Sequence, residues 1–105
     1  MIRPLFLLAA CLLVSTVHAK GNAEAGKAKS AACAACHGQV GVSEVSNFPT
    51  LAGQHRDYLY HALRDYKSGK RKNPIMAGQV ASLSDADMAD LAKYYSQLPG
   101  LTLKY

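Results

Sequence analysis

Five residues, Cys33-Ala34-Ala35-Cys36-His37, constrain this chain more than any other feature. Residues three apart on a helical turn share a face, so the two thiols point the same way, with an imidazole directly after them. Ala at both intervening positions keeps that face open. A C-x-x-C pair serves several chemistries: a thioredoxin-like redox couple, half of a zinc site, or a structural disulfide. The last of these leaves His37 without a purpose.

The beginning of the chain sets the compartment. Arg3 is the only charge before an apolar run from Leu5 to Val17, and Val17-His18-Ala19 fits the small-x-small pattern of a signal-peptidase site. The run is shorter than the ~20 residues of a transmembrane helix. Residues 1–19 therefore read as a cleavable signal peptide and 20–105 as the mature domain. Leu8-Ala9-Ala10-Cys11 is a rival lipoprotein box, but the apolar run continues past Cys11, which suits an uninterrupted signal core. Cleavage after Ala19 removes Cys11 and leaves Cys33 and Cys36, and two close thiols in an exported protein are usually bridged or ligated. The 105 residues allow one domain, and a core with no Trp and two Phe, one of them in the signal, leaves room for a non-protein filler.

Three helical patterns follow. The first runs from Ala23 to Ala34, with Asn22 as N-cap, Glu24 in the first turn, and small residues that let another helix approach closely. The second runs from Arg56 to Ser68. Its apolar face is Tyr58, Leu59, Ala62, Leu63 and Tyr66, with Arg56, Tyr60, Arg64 and Lys67 on the other side and Gly69 as the stop. The third runs from Asp85 to Leu98, with Ser84 and Asp87 as a variant capping box and Met88, Leu91, Tyr95 and Leu98 as its buried stripe. No alternating strand pattern occurs. The expected fold class is all-α, with long loops over 37–55 and 69–83.

This background decides between the chemistries of the cysteine pair. A thioredoxin-like fold needs strands, and a zinc site needs two more ligands where only His55 and His61 remain as nitrogen donors. C-x-x-C-H is the attachment signature of c-type heme: two thioethers to one porphyrin and a histidine held beneath it.

In these features the chain resembles the class I c-type cytochromes, the small bacterial periplasmic mono-heme group. The likeness rests on the heme motif, on Phe48-Pro49-Thr50-Leu51-Ala52-Gly53-Gln54, on Asn73-Pro74-Ile75-Met76, and on the last helix through Tyr95. It implies a small cytochrome c-like fold with three main helices around one covalent heme c. It implies thioethers at Cys33 and Cys36, His37 as proximal ligand and the Pro49 carbonyl as acceptor for the imidazole proton. Leu51 would pack on the porphyrin and Met76 would be the sixth ligand. The first and last helices would cross with Gly26 against Tyr94 or Tyr95. The Met76 assignment also has a basis in the residues. Only Met76 and Met88 follow the signal, Met88 lies on a core stripe, and Met76 follows Asn73-Pro74 in what reads as an irregular loop. His55 and His61 read as surface residues. With no Trp available, Tyr66, Arg56, Gln54 and Asn73 remain open as holders of the heme propionates.

His/Met ligation leaves no vacant site for a substrate, which fits a one-electron carrier and not an enzyme. Lys67, Lys70, Arg71 and Lys72 form a basic cluster suited either to solvation or to steering acidic redox partners. The expected setting is a periplasmic monomer with no stable membrane insertion and no nucleic-acid partner. A heme protein with an accessible sixth site, or a heme subunit of a larger oxidoreductase, are the alternative readings.

Overall fold

In the computed structural model, residues 20–102 are described, together with Met1, Ile2, Pro4 and Ala10. The Ala19 cleavage point and Cys11 lie outside the described residues. Five helices follow in order: α1 Ala23–Lys29, α2 Ala31–His37, α3 Arg56–Ser68, α4 Pro74–Val80 and α5 Asp85–Gln97. Among the described residues there is no strand, so the fold is all-α.

The helix expected over 23–34 is two helices, joined at Ser30. Its hydroxyl donates to the Lys27 carbonyl at 2.8 Å, and its N–H reaches the same oxygen at 3.2 Å. A serine that bonds back to its own backbone competes with the regular helical pattern, and here it marks the joint. Asn22 caps α1 as expected, its side chain accepting from Ala25 N–H at 2.9 Å. Gly38, with φ of 89°, ends α2 just after the motif.

The packing of α1 on α5 organises the domain. A Cβ at Gly26 would collide with the backbone carbonyl of Asp90 and lie 2.7 Å from Cβ of Tyr94, so only glycine allows this approach. Of the two aromatic partners expected for Gly26, Tyr94 is the one the crossing uses. Polar contacts fix the crossing: Asn22 N–H donates to Asp90 at 2.8 Å, and the Lys29 ammonium bonds Asp87 and Asp90 at 2.7 Å each. The reciprocal capping box of α5 is complete, with Asp87 N–H on Ser84 Oγ and Ser84 N–H on Asp87 Oδ2. Lys29, followed by the Ser84 N–H, holds the Asp87 carboxyl down at about 2.

The central core is Leu59 of α3 with Leu91, Ala92, Tyr94 and Tyr95 of α5. Met88 is buried as expected, and Leu98 packs at the edge. α3 has the expected limits and stops at Gly69, whose φ of 85° is left-handed. Its face is rotated from the expected one. Tyr58 is 53% exposed, whereas Tyr60 packs on the core and donates to Asp85 at 2.6 Å.

The stretch 69–83 is not one long loop, because it contains α4. Asn73 is an N-cap whose side chain accepts from Ile75 N–H at 3.0 Å and Met76 N–H at 3.1 Å, and Pro74 takes the first helical position. An Asn-Pro pair reads as a loop signal in isolation, yet cap followed by proline is also how helices begin. α4 packs against α3 and buries Val80.

Candidate heme-attachment site

Cys33 and Cys36 lie on α2, three residues apart, both half-buried and both free thiols. Burial pushes the Cys33 thiol up, and the neighbouring Tyr95 phenol opposes that shift. His37 closes the helix and is 7% exposed. Its Nδ1 stands 2.7 Å from the carbonyl oxygen of Pro49. A carbonyl only accepts, so Nδ1 carries the proton and Nε2 presents its lone pair.

The segment 38–55 brings that carbonyl to the ring. Leu51 and Ala52 both donate to Gly41 O, at 2.8 and 3.0 Å, which closes the chain on itself. Gly53 N–H then bonds Tyr95 O at 3.1 Å and Leu101 N–H bonds Ala52 O at 2.8 Å, tying the segment to the end of α5. Leu51 packs against the core cluster, as does Cys33.

Met76 is on a separate element. It sits half-buried in the first turn of α4, which is a helical position and not the irregular loop expected for it. Ser30, which the sequence reading did not single out, and Tyr95, which it placed only on the last helix's buried stripe and as a possible partner of Gly26, adjoin the motif. Ser30 and Tyr95 are both buried, and Cys33 packs against the core cluster that contains Tyr95. Ser30 lies three residues before Cys33, which places them on one helical face, but nothing in the sequence brings Tyr95 to Cys33.

His55 and His61 are exposed, as expected. Among the residues considered for the propionates, Gln54 accepts from His55 N–H, Arg56 pairs with Asp57 and Asn73 caps α4. Tyr66 lies under the Arg71 guanidinium, 4.9 Å from its ring centre, and lines a cavity of about 370 Å³ with Arg71, Asn73 and Pro74.

The donor set fits a covalent heme: two unbridged thiols on one helical face and a buried imidazole whose Nδ1 is engaged by the Pro49 carbonyl, which leaves Nε2 free to bind a metal. Residues 23–99 match the family described as cytochrome c. The chain belongs to the cytochrome c family.

Among its relatives, cytochrome c4 of Pseudomonas aeruginosa is 49% identical over 84 residues, covering 80% of this chain and 42% of the relative. Cytochrome c-554(548) of Halomonas halodenitrificans is 40% identical over 79 residues, covering 72% of this chain and 95% of the relative. The crystal structure of reduced cytochrome c4 from Pseudomonas stutzeri superposes with a TM-score of 0.74 at 44% identity, covering 77% of this chain and 47% of that one. The chain thus spans about half the length of the cytochrome c4 proteins it matches. The cofactor of the family is covalently bound heme c, and Cys33 and Cys36 are the pair in this chain with the attachment spacing.

Proposed function

We propose that this protein is a one-electron carrier of the periplasm, exported by residues 1–19 and holding heme c through thioethers from Cys33 and Cys36. His37 Nε2 and the Met76 sulfur would hold its iron. Bound heme c supplies the one-electron chemistry. The observation that carries this reading is the 2.7 Å contact of His37 Nδ1 with Pro49 O, which fixes tautomer and ring orientation and strengthens Nε2 as a donor.

The chain's own residues do the rest. Cys33 and Leu51 pack on the apolar core, and a low-dielectric surround limits reorganisation when an electron moves. Asn73 pins the backbone of Met76, which favours a fixed thioether over one that swings free. A thioether ligand favours the ferrous state. Were His37 and Met76 both to bind the iron, substrates would find no open site there, which separates this reading from an enzyme.

Lys67, Lys70, Arg71 and Lys72 are all exposed, between α3 and α4. Their charge suits redox partners with acidic docking surfaces and raises encounter rates at low salt. Electron transfer that is insensitive to ionic strength would remove that role.

The test of the ligand set is the absorption spectrum of the reduced, heme-loaded protein before and after carbon monoxide. A low-spin spectrum that CO leaves unchanged, and that becomes CO-sensitive in Met76→Ala, supports electron carriage. A parent protein that binds CO promptly has an accessible sixth site, and ligand binding or weak peroxidase chemistry becomes the better reading.

A further inference from the structure

Beyond the contact itself, Pro49 has little of its own to keep its carbonyl on His37 Nδ1. Its side chain is exposed, and proline has no N–H with which to anchor itself. Residues 44–47, just before it, are exposed as well. What holds the carbonyl is a clasp across the neck of this loop. Gly41 O accepts from Leu51 N–H at 2.8 Å and from Ala52 N–H at 3.0 Å. Ser43 N–H donates to Thr50 Oγ1 at 3.0 Å. Thr50 and Leu51 directly follow Pro49, so the clasp closes beside the peptide that carries the carbonyl.

The far side of the clasp is fixed in turn. Gly41 N–H bonds the carbonyl of Gly38, the residue that ends the motif helix, at 3.1 Å. Gly41 is buried at φ of 74°, and a Cβ there would lie 2.8 Å from Cδ1 of Tyr95 and 3.2 Å from Ala52 N. The Tyr95 ring cannot retreat, because it is 3% exposed and has the Tyr94 ring packed beside it at 5.0 Å between centres. Only glycine permits both this backbone turn and this approach. We propose that Gly41 and Thr50 are positioning residues that hold the Pro49 carbonyl on His37 and thereby lower the reduction potential of the attached heme.

The sign follows from the hydrogen bond. A ring N–H that donates to a carbonyl leaves more electron density on Nε2, and a stronger nitrogen donor favours the ferric state. Loosening the clasp weakens that bond and moves the balance towards the ferrous state. The inference rests on the reading of His37 as an iron ligand and not on the identity of the sixth ligand.

The test follows two quantities in the purified, heme-loaded protein: the potential, by spectroelectrochemical titration, and the exchange rate of the His37 ring proton, by NMR of the reduced form. In Gly41→Ala the added Cβ pushes the clasp off α5. The expected result is faster ring-proton exchange and a shift of about threefold towards the ferrous form, which is about 28 mV upward at 59 mV per tenfold for one electron. Thr50→Val removes one acceptor without adding bulk and moves both quantities the same way by less. Thr50→Ser keeps the hydroxyl and leaves both in place. Gly69→Ala is the control for strain: its φ of 85° is equally left-handed, but nothing lies within 4 Å of the added carbon, so it leaves both in place too. Unchanged exchange in Gly41→Ala, or an equal shift of potential in Gly69→Ala, overturns the proposal and leaves ligation by His37 standing. Faster exchange with an unchanged potential also overturns it, and removes His37 as the iron ligand with it. If Gly41→Ala fails to accumulate with heme, the threonine pair decides: Thr50→Val differing from Thr50→Ser in both quantities supports the clasp, and no difference rejects it.

Discussion

α5 and α4 are built on opposite terms. α5 is a 13-residue helix with six buried residues, a reciprocal capping box and a lysine bridging it to α1. α4 is a seven-residue helix with one buried residue, and Ile75 next to Met76 is 56% exposed. Seven residues fall short of the ~12–15 at which even good isolated helices are marginal, so α4 depends on its Asn73 cap and on its packing against α3. The contrast teaches where this chain invests its own side chains. The α1–α5 crossing is specified by protein atoms throughout. The element bearing the proposed sixth ligand is held at its first turn and its last residue.

The strongest way to break this comparison is to remove the attachment chemistry. Replacing both Cys33 and Cys36 by Ala is expected to abolish covalent heme entirely, read as loss of heme staining after denaturing electrophoresis. Retained covalent heme would show that the motif is not the attachment point. Next in size is Gly26→Leu at the α1–α5 crossing. The clash falls on the Asp90 backbone, which cannot rotate away, so a loss of about 3 kcal/mol is expected in denaturant titration. Unchanged stability would mean that the crossing is not close-packed.

The two N-caps sharpen the contrast further. Asn73→Ala and Ser84→Ala each remove side-chain acceptors for helix N–H groups, worth about 1 kcal/mol apiece. The Ser84 change is expected to appear in global unfolding. The Asn73 change is expected to appear first as CO-sensitivity, because α4 opens by itself. If both variants lose only global stability, α4 is as firmly integrated as α5.

The smallest effect concerns Asp87. Its carboxyl lies at about 2 in the folded protein against 3.8 otherwise, chiefly because Lys29 bonds it. A depressed carboxylate stabilises fully above its unfolded value and loses that contribution as pH falls through its folded value. Asp87→Asn is therefore less stable than the parent, by at most about 1 kcal/mol for a pair this accessible, at pH 5 to 7. The gap narrows between pH 4 and pH 2. A gap that stays constant to pH 2 would assign the loss to the capping box and not to charge.

Much of the site was legible because it is local. Cys33, Cys36 and His37 lie within one helical turn, so spacing alone puts them together. The limits of α3 and the caps of α1 and α5 were readable for the same reason: cap, periodicity and stop are neighbours in sequence. The Pro49 carbonyl was reached only through family resemblance, since no local rule links residues 37 and 49. The misreadings were of a different kind. Ser30 was taken as helix interior, but its hydroxyl bonds back to Lys27 and splits the helix. Asn73-Pro74 was taken as loop, but the same pair caps and starts α4. Tyr58 and Tyr60 exchanged faces, because helical spacing gives a stripe about 100° wide and leaves the residues at its edge to be sorted by the neighbouring helix.

The sequence by itself determined the helical class and the heme-bearing turn, because each is a property of residues within a few positions of one another, whereas the Gly26 crossing was reached through the family resemblance. Only the tertiary structure decided that Asp90 and Tyr94 are what Gly26 meets, that Lys29 joins Asp87 and Asp90, and that Cys33 packs on the core cluster containing Tyr95. Those pairs span some 60 positions or more of chain, and their meeting is set by how closely two helix backbones approach.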